Sequence, residues 1–169
     1  MECATIWLTT TDCIGCEKMN VLGTAFETSL RLLLLLSVSD RDEMSEDRIW
    51  MLDYLALYSR DFDMSDHNLH GYGAYRFGEY PAKRALAHEA IKSMVLDHFI
   101  EATPTDNGFR FSITREGLAF TDQFTTDYSE AYIEAAENVI RRTSALSDEE
   151  IATMVQTRAT TDVEEIRNE

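Results

Sequence analysis

The sequence predicts a mainly α-helical protein that carries one small β-hairpin. Between residues 76 and 116 the chain reads as a long amphipathic helix, a strand, a polar turn, a second strand and the start of another helix. Only two prolines and seven glycines occur, which favours helices over a fold with many tight turns. A helix followed by a β-hairpin is the second half of a winged helix. The predicted fold class is therefore a winged-helix domain extended by C-terminal helices.

The length and composition of the chain suit one globular domain with appended segments. Hydrophobic residues make up 44% of its 169 residues, which is enough to build a buried core. Four regions are predicted: an N-terminal arm that is loosely ordered or a short strand (residues 1–23), a winged-helix core with a long insert at 60–77 (24–116), a long helix with a short capping helix (117–157), and an acidic tail (158–169).

The charge is strongly negative, −16 from 31 acidic and 15 basic residues. Such a balance favours solubility and repels nucleic-acid phosphates, so the protein needs a basic patch or a basic partner to approach DNA. The most apolar run, Leu30 to Val38, carries Arg31 and is too short to cross a bilayer, so no membrane association is expected. Three cysteines without a secretory signal indicate free thiols in a reducing cytoplasm.

The N-terminal arm carries a Cys-x-x-Cys pair at Cys13 and Cys16, a spacing that occurs in zinc and redox sites. A structural zinc site needs four ligands, and only Cys3 lies near the pair in the sequence. A thioredoxin-like site needs a strand–helix–strand setting, which does not follow. We interpret the pair as adventitious, and we expect no metal and no other cofactor.

Two helices precede the insert. Thr24 caps the first, which runs to Val38 and is apolar on nearly all sides, as expected of a helix in the middle of a domain. Charged residues between 39 and 44 form the loop that follows. Ser45 caps the second helix, which runs to Ser59 and carries an aromatic stripe that is best explained by core packing.

The insert at residues 60–77 is long for a connection in a compact domain, and such loops tend to be functional or mobile. Asp66, His67 and His70 have the chemistry of a metal site, but no hydrophobic frame for one is evident, and ordinary polar loop residues explain them as well. Tyr72 and Tyr75 favour a partner-contact surface, because tyrosine is enriched at protein interfaces.

The helix after the insert carries most of the bases that are candidates for DNA contact. Pro81 suits its first turn, and apolar residues from Ala82 to Phe99 recur at helical spacing. The sequence PTDNG marks a hairpin turn between two strands, and the second strand alternates buried and exposed positions. The candidate DNA contacts are Arg76, Lys83, Arg84, His88, Lys92 and Arg110.

Thr114 caps a helix that is predicted to continue from Glu116 to Thr143. A helix of this length overhangs a domain of this size, so its outer part is a candidate docking or oligomer surface. A capping box at 147–150 starts a last short helix. Together with the tyrosines of the insert, the partner-interface candidates are Tyr72, Tyr75, Phe124, Tyr128 and Tyr132.

No catalytic motif is recognisable in the sequence. It contains no Walker loop, no GxSxG elbow, no HExxH pair and no GxGxxG turn. Its four histidines pair with no serine or cysteine nucleophile in a known pattern. We therefore expect a protein that is not an enzyme and has no catalytic residues.

Five stretches of the sequence occur together in one known family. They are the leucine-rich first helix, Leu52-Asp53-Tyr54 in the second helix, Leu69-His70 in the insert, Gly78-Glu79 ahead of Lys83-Arg84, and ITREGLAF at residues 113–120. In this order they resemble the middle component of bacterial ABC-three-component systems, over roughly residues 24–155. Residues 1–22 have no counterpart, and Pro81 departs from the family pattern at the start of its helix.

The resemblance implies an adaptor. Such systems, which overlap the Lamassu type of anti-phage and anti-plasmid defence, pair an SMC-like coiled-coil ATPase with an effector that is often a nuclease. The middle component would link the two, help the ATPase sense or hold invading DNA, and restrain the effector until then. A homodimer of the isolated chain is compatible with the same surfaces.

The alternative is a winged-helix transcription regulator that binds duplex DNA. In that case the helix that carries Lys83, Arg84, His88 and Lys92 enters the major groove, and Arg110 on the hairpin touches phosphate. The net charge of −16 argues against strong binding by the chain alone.

Overall fold

The computed structural model describes residues 23–39, 42–73, 77–78 and 80–167, with side chains to residue 158. The predictions for residues 1–22, for Tyr75 and for Arg76 lie outside this part of the chain. The described residues form, in order, α1 (Ala25–Ser37), β1 (Met44–Ser45), α2 (Glu46–Leu57), a 3₁₀ helix (Ser59–Phe62), α3 (Tyr80–Leu96), β2 (Ile100–Thr105), β3 (Gly108–Ile113), α4 (Arg115–Thr121), α5 (Asp127–Thr143) and α6 (Asp148–Arg167). The prediction of a mainly helical fold with a small β element is confirmed.

The helix starts are set by local hydrogen bonds that the sequence predicts. The Thr24 hydroxyl accepts the backbone N–H of Glu27 at 3.2 Å and begins α1. The Ser45 hydroxyl does the same for α2, and the Thr114 hydroxyl accepts the N–H of Gly117 at 3.0 Å to begin α4. Each cap satisfies a backbone donor that the helix itself leaves without an acceptor.

The hairpin belongs to a sheet of three antiparallel strands in the order β1-β3-β2. β2 and β3 pair from Ile100 opposite Ile113 to Thr105 opposite Gly108. β1 adds two residues on the other side of β3, with Met44 opposite Phe111. This strand was not predicted, because two residues are too few to show an alternating pattern.

α1 lies at the centre of the core. Its leucines from Leu32 to Leu36 are each at most 3% exposed, and the helix contacts α2, α3, α4 and α5. A helix surrounded on so many sides buries apolar side chains all round, as its sequence predicts. The buried faces of α2, α3 and α5 and the inner face of the sheet complete one hydrophobic cluster.

The C-terminal part differs from the prediction. Instead of one helix from 116 to 143, the chain forms α4 and α5, separated by residues 122–126. Thr126 stops helix propagation by capping α5, since its hydroxyl accepts the Ser129 N–H at 3.1 Å and its own N–H donates to the Ser129 hydroxyl at 3.0 Å. The last helix is long rather than short: α6 spans 20 residues and includes most of the predicted acidic tail. No glycine or proline interrupts residues 148–167, and nothing therefore ends that helix early.

Candidate functional site

The outer face of α3 carries most of the predicted DNA contacts. Arg84, His88 and Lys92 are exposed there, and Lys83 is half-buried. Arg110 lies on β3 opposite Ser45 of β1, on a different element. Four of the six candidate DNA contacts therefore lie on one helix. The side chains that pair with them determine which ligands this face can bind.

Two of these bases pair with the first turn of α2. An Arg84 guanidinium nitrogen lies 2.9 Å from Asp47 Oδ1, and the His88 ring Nδ1 lies 2.9 Å from Glu46 Oε1. Asp47 also accepts the indole N–H of Trp50 at 3.0 Å, and Arg84 stands 5.9 Å from the centre of that ring. The carboxylates at the start of α2 thus reduce the positive charge of α3.

Such exposed pairs are weak, because solvent screens them. They open without much cost when a stronger ligand arrives. They nevertheless lower the average potential of the face, and a phosphate that approaches α3 also meets Glu46 and Asp47. The face is mixed in charge rather than basic.

A second polar junction holds the start of α2 against the link between α5 and α6. One Arg48 nitrogen binds Asp148 Oδ1 and the Leu146 carbonyl, each at 3.0 Å, and the other binds the Thr143 carbonyl. The Ser45 hydroxyl donates to Asp148 Oδ2 at 2.6 Å. Partial burial works against ionisation of Asp148, but these hydrogen bonds and the charge of Arg48 hold its pKa below the usual value.

A buried polar cluster joins α1, α2 and α5. Arg31 and Asp53, 2% and 3% exposed, form a two-pronged ion pair with nitrogen–oxygen distances of 3.0 and 3.2 Å. Tyr132 donates its hydroxyl to Asp53 at 2.7 Å. Arg31 also donates to Glu27 at 2.5 Å and to the Thr28 hydroxyl at 3.3 Å. Among the described residues no buried side-chain polar atom is left without a partner, so the cluster is fully satisfied.

The cluster perturbs the tyrosines around it. Burial first, and then the charge of Asp53, raise the pKa of Tyr132 well above its ordinary value. Burial raises the pKa of Tyr128 to about 12. The pKa of His70 is lowered by burial and by the positive charges of Arg31 and Lys83. The histidine is therefore a neutral hydrogen-bonding group at neutral pH.

The insert is fixed to α5 through that histidine. His70 Nε2 lies 3.0 Å from the Tyr128 hydroxyl, and the two rings are tilted by 33° with centroids 6.2 Å apart. The first two turns of α5 thus contact both polar groups, since Tyr128 binds His70 and Tyr132 binds Asp53. Two of the stretches that carry the family resemblance, Leu52-Asp53-Tyr54 and Leu69-His70, meet here.

The predicted partner-interface residues divide into exposed and buried positions. Tyr72 and Tyr128 are 56% and 41% exposed, and Arg60 lies over the Tyr72 ring at 5.6 Å. Phe124 is half-buried, with its ring 5.3 Å from that of Phe120. Tyr132 is fully buried against Asp53 and offers no side-chain surface to a partner. Its assignment to an interface is thereby corrected: the apolar stripe of α5 faces the core.

Sequence reasoning missed the Arg31–Asp53 pair. The available signal was a charged residue inside the apolar stretch of each of two helices, at Arg31 beside the leucine run of α1 and at Asp53 among the buried side chains of α2. A charge at such a position needs a partner of opposite sign, because an unpaired buried charge is costly. The two residues lie 22 positions apart, and only the packing of the helices shows that they meet.

The structure also bears on metals and membranes. Across residues 23–39, 42–73, 77–78 and 80–167, no group of three or more His, Cys, Asp or Glu side chains is placed to hold a metal ion. In the same part of the chain, every helix is too short or too polar to cross a bilayer.

Comparison with known proteins identifies one family. The family model described as ABC-three component (ABC-3C) system Middle Component 2 matches residues 21–165, most of the chain. This match confirms the resemblance found in the sequence. Searches of curated proteins and of solved structures gave no match.

Proposed function

Because the chain belongs to the ABC-three component system Middle Component 2 family, we propose that it is a non-catalytic adaptor between an SMC-like ATPase and an effector nuclease in a cytoplasmic defence complex. In this role it helps the complex sense or hold invading phage or plasmid DNA. The family match over residues 21–165 carries the proposal, because a middle component works within a set of subunits. The geometry adds three supporting observations.

The first observation concerns the fold. Helix, strand, two helices and two strands follow one another from α1 to β3, and the sheet order is β1-β3-β2. The 3₁₀ helix at Ser59–Phe62 lies within the connection between α2 and α3. This order supports a winged-helix core, a fold that serves protein docking as well as DNA binding.

The second observation concerns the face of α3. In a DNA-reading winged helix that face would enter the major groove. Here Arg84 and His88 are paired with carboxylates, and the whole chain carries a charge of −16. Both features favour docking to protein over autonomous DNA binding, and they leave any DNA contact to the assembled complex.

The third observation concerns catalysis. The most elaborate polar constellation in the described part of the chain is the cluster around Arg31 and Asp53, and it is buried and saturated with internal hydrogen bonds. A substrate has no room to approach it. Its arrangement suits a structural role, which supports a subunit that contributes surfaces rather than chemistry.

Co-expression of the chain with the products of the adjacent genes tests the proposal. An affinity tag on this chain should retain the ATPase subunit, and the two should elute together on size exclusion. Elution of the chain alone in the presence of all neighbouring subunits would refute the adaptor role. Specific, salt-resistant binding of the isolated chain to duplex DNA, lost in a Lys83→Glu/Arg84→Glu variant, would favour a transcription regulator.

A further inference from the structure

A groove separates the insert from the outer face of α5. Its volume is about 520 Å³. Met64, Leu69, Ala131 and Ala135 contribute apolar surface, and charged and polar side chains complete the lining: Asp63, Asp66, His67, Glu134, Asn138 and Arg142. The groove lies apart from the face of α3 and from the buried Arg31–Asp53 pair.

One wall of the groove is a single face of α5. Its members Ala131, Glu134, Ala135, Asn138 and Arg142 follow a spacing of three, one, three and four residues, which places them along one side of a helix. The eleven steps from the first to the last of them extend over about three turns, roughly 16 Å. The alanines leave room for another backbone to approach closely, as in helix pairs whose axes lie 8–10 Å apart.

The other wall is held rigid by its own hydrogen bonds. The backbone N–H of Met64 donates to the Ser59 carbonyl at 2.8 Å, and the Ser59 and Ser65 hydroxyls are 2.6 Å apart. Asn68 is 7% exposed, and its side-chain oxygen accepts the Arg60 N–H at 3.0 Å. A wall ordered in this way loses little conformational entropy on binding, which favours docking.

The charge of the groove selects the occupant. The lining residues include three carboxylates, Asp63, Asp66 and Glu134, but one arginine, Arg142, and no lysine. None of the three carboxylates forms an ion pair with the residues that the structure describes. Carboxylates repel the phosphates of nucleic acid, and they are not clustered for a metal ion. We call the apolar residues of the groove its floor and the three carboxylates its rim. A peptide segment with lysine or arginine beside apolar residues complements both.

We propose that this groove binds a basic amphipathic helix, about three turns long, from the ATPase subunit of the same system. The proposal rests on the adaptor function given above and assigns it a surface. The apolar side of the helix covers the alanines of α5, and its bases meet Asp63, Asp66 and Glu134. The hydrogen-bonded part of the insert forms the second wall of the groove and would contact the bound helix.

The test compares binding of the full chain and its variants to the purified ATPase subunit by isothermal titration calorimetry at two salt concentrations. Asp66→Lys/Glu134→Lys reverses the charge of the rim, and Ala131→Trp fills the floor. Glu137→Lys is the charge control, because Glu137 is exposed on α5 but does not line the groove. Ala119→Trp, at an exposed position of α4, is the matched control for bulk.

Both groove variants should weaken binding at least tenfold, and both controls should stay within twofold of the native chain. The charge-reversed variant should also show a smaller dependence of Kd on salt. Circular dichroism verifies the fold, and Asp66→Asn/Glu134→Gln, expected to weaken binding about threefold, replaces the reversed variant if that one unfolds. Native affinity in the groove variants refutes the groove but leaves the adaptor function intact. A native chain that does not bind the ATPase subunit refutes both.

Discussion

Replacement of Asp53 by Asn should be among the most destabilising single changes in this protein. The substitution keeps the shape of the side chain but removes the charge that faces Arg31 across 3.0 and 3.2 Å. Loss of one member of a buried ion pair costs about 3–5 kcal/mol, because the remaining charge stays buried. We expect the lower end, about 3 kcal/mol, since Glu27 still accepts from Arg31.

A double-mutant cycle with Tyr132 tests the reasoning more sharply. Tyr132→Phe removes the 2.7 Å hydrogen bond to Asp53 and should cost about 1.5 kcal/mol, the lower range for a hydrogen bond to a charged group. In the Asp53→Asn background the same change should cost less, with a coupling of about 1 kcal/mol. Additive effects would contradict the cluster as described.

Urea unfolding followed by far-ultraviolet circular dichroism gives these free energies. Asp42→Asn is the matched control, since Asp42 is exposed in the loop before β1, and its cost should stay within about 0.5 kcal/mol. A cost below about 1 kcal/mol for Asp53→Asn would refute the argument, because it would mean that Arg31 is exposed to water or that Glu27 alone compensates its charge.

The remaining predictions concern pH, packing and charge. Burial raises the pKa of Tyr132, so the folded state favours the protonated hydroxyl. The free energy of unfolding should therefore be unaffected below about pH 10, the pKa of tyrosine in the unfolded chain, and should fall as the pH rises above it. This fall should be smaller in Tyr132→Phe. Since the pKa of Asp148 is lowered, its carboxylate should contribute to the free energy of unfolding above about pH 4, and this contribution should disappear as the pH falls. Asp148→Asn should therefore cost about 1 kcal/mol at pH 7 and almost nothing at pH 2, measured by urea unfolding. Gly117→Ala should cost on the order of 2 kcal/mol in the same assay, because the new Cβ would lie 2.2 Å from the Phe99 carbonyl oxygen. Glu46→Gln/Asp47→Asn should raise the affinity of the isolated chain for a fluorescein-labelled duplex severalfold at low salt, measured by anisotropy.

Each of these has an outcome that contradicts it. Equal alkaline stability of the native chain and Tyr132→Phe would place the tyrosine in contact with solvent. An equal loss of stability in Asp148→Asn at pH 2 and at pH 7 would mean that Asp148 does not stabilise the fold through its charge. Unchanged stability of Gly117→Ala would show that the hairpin and α4 adapt easily. Glu130→Gln/Glu137→Gln removes the same charge from exposed positions of α5, and an equal gain in DNA affinity there would exclude a local effect on α3.

Features of this fold that are encoded within a few residues were predictable. The caps at Thr24, Ser45 and Thr114 and the turn before Gly108 each depend on side chains within three positions of the backbone group that they serve. The order of the three helices and the hairpin from α1 to β3 followed from them, although β1 was not predicted. Periodicity also placed α1 in the core, because a helix that is apolar on nearly all sides has no polar face to expose to solvent.

Features that depend on contacts between distant segments were not predictable. The pairing of Met44 with Phe111 and the burial of Tyr132 come from the packed helices and sheet. The break between α4 and α5 was encoded locally, by Thr126 and Ser129, but the amphipathic stripe on both sides hid it. The DNA contacts proposed for α3 remain a prediction, and the pairing of Arg84 and His88 with carboxylates of α2 was not predictable because it depends on how α2 and α3 pack.

The stretches that carry the family resemblance acquire a physical meaning from their contacts. Asp53 holds α1 and α5 to α2, and Tyr54 packs edge-on against Tyr80 at the start of α3. His70 binds Tyr128 and fixes the insert to the start of α5. None of the three side chains lines the groove between the insert and α5, although the contact of His70 with Tyr128 joins the two segments that form its walls. These contacts hold the framework of the fold, and the carboxylates of the proposed groove, Asp63, Asp66 and Glu134, take no part in them.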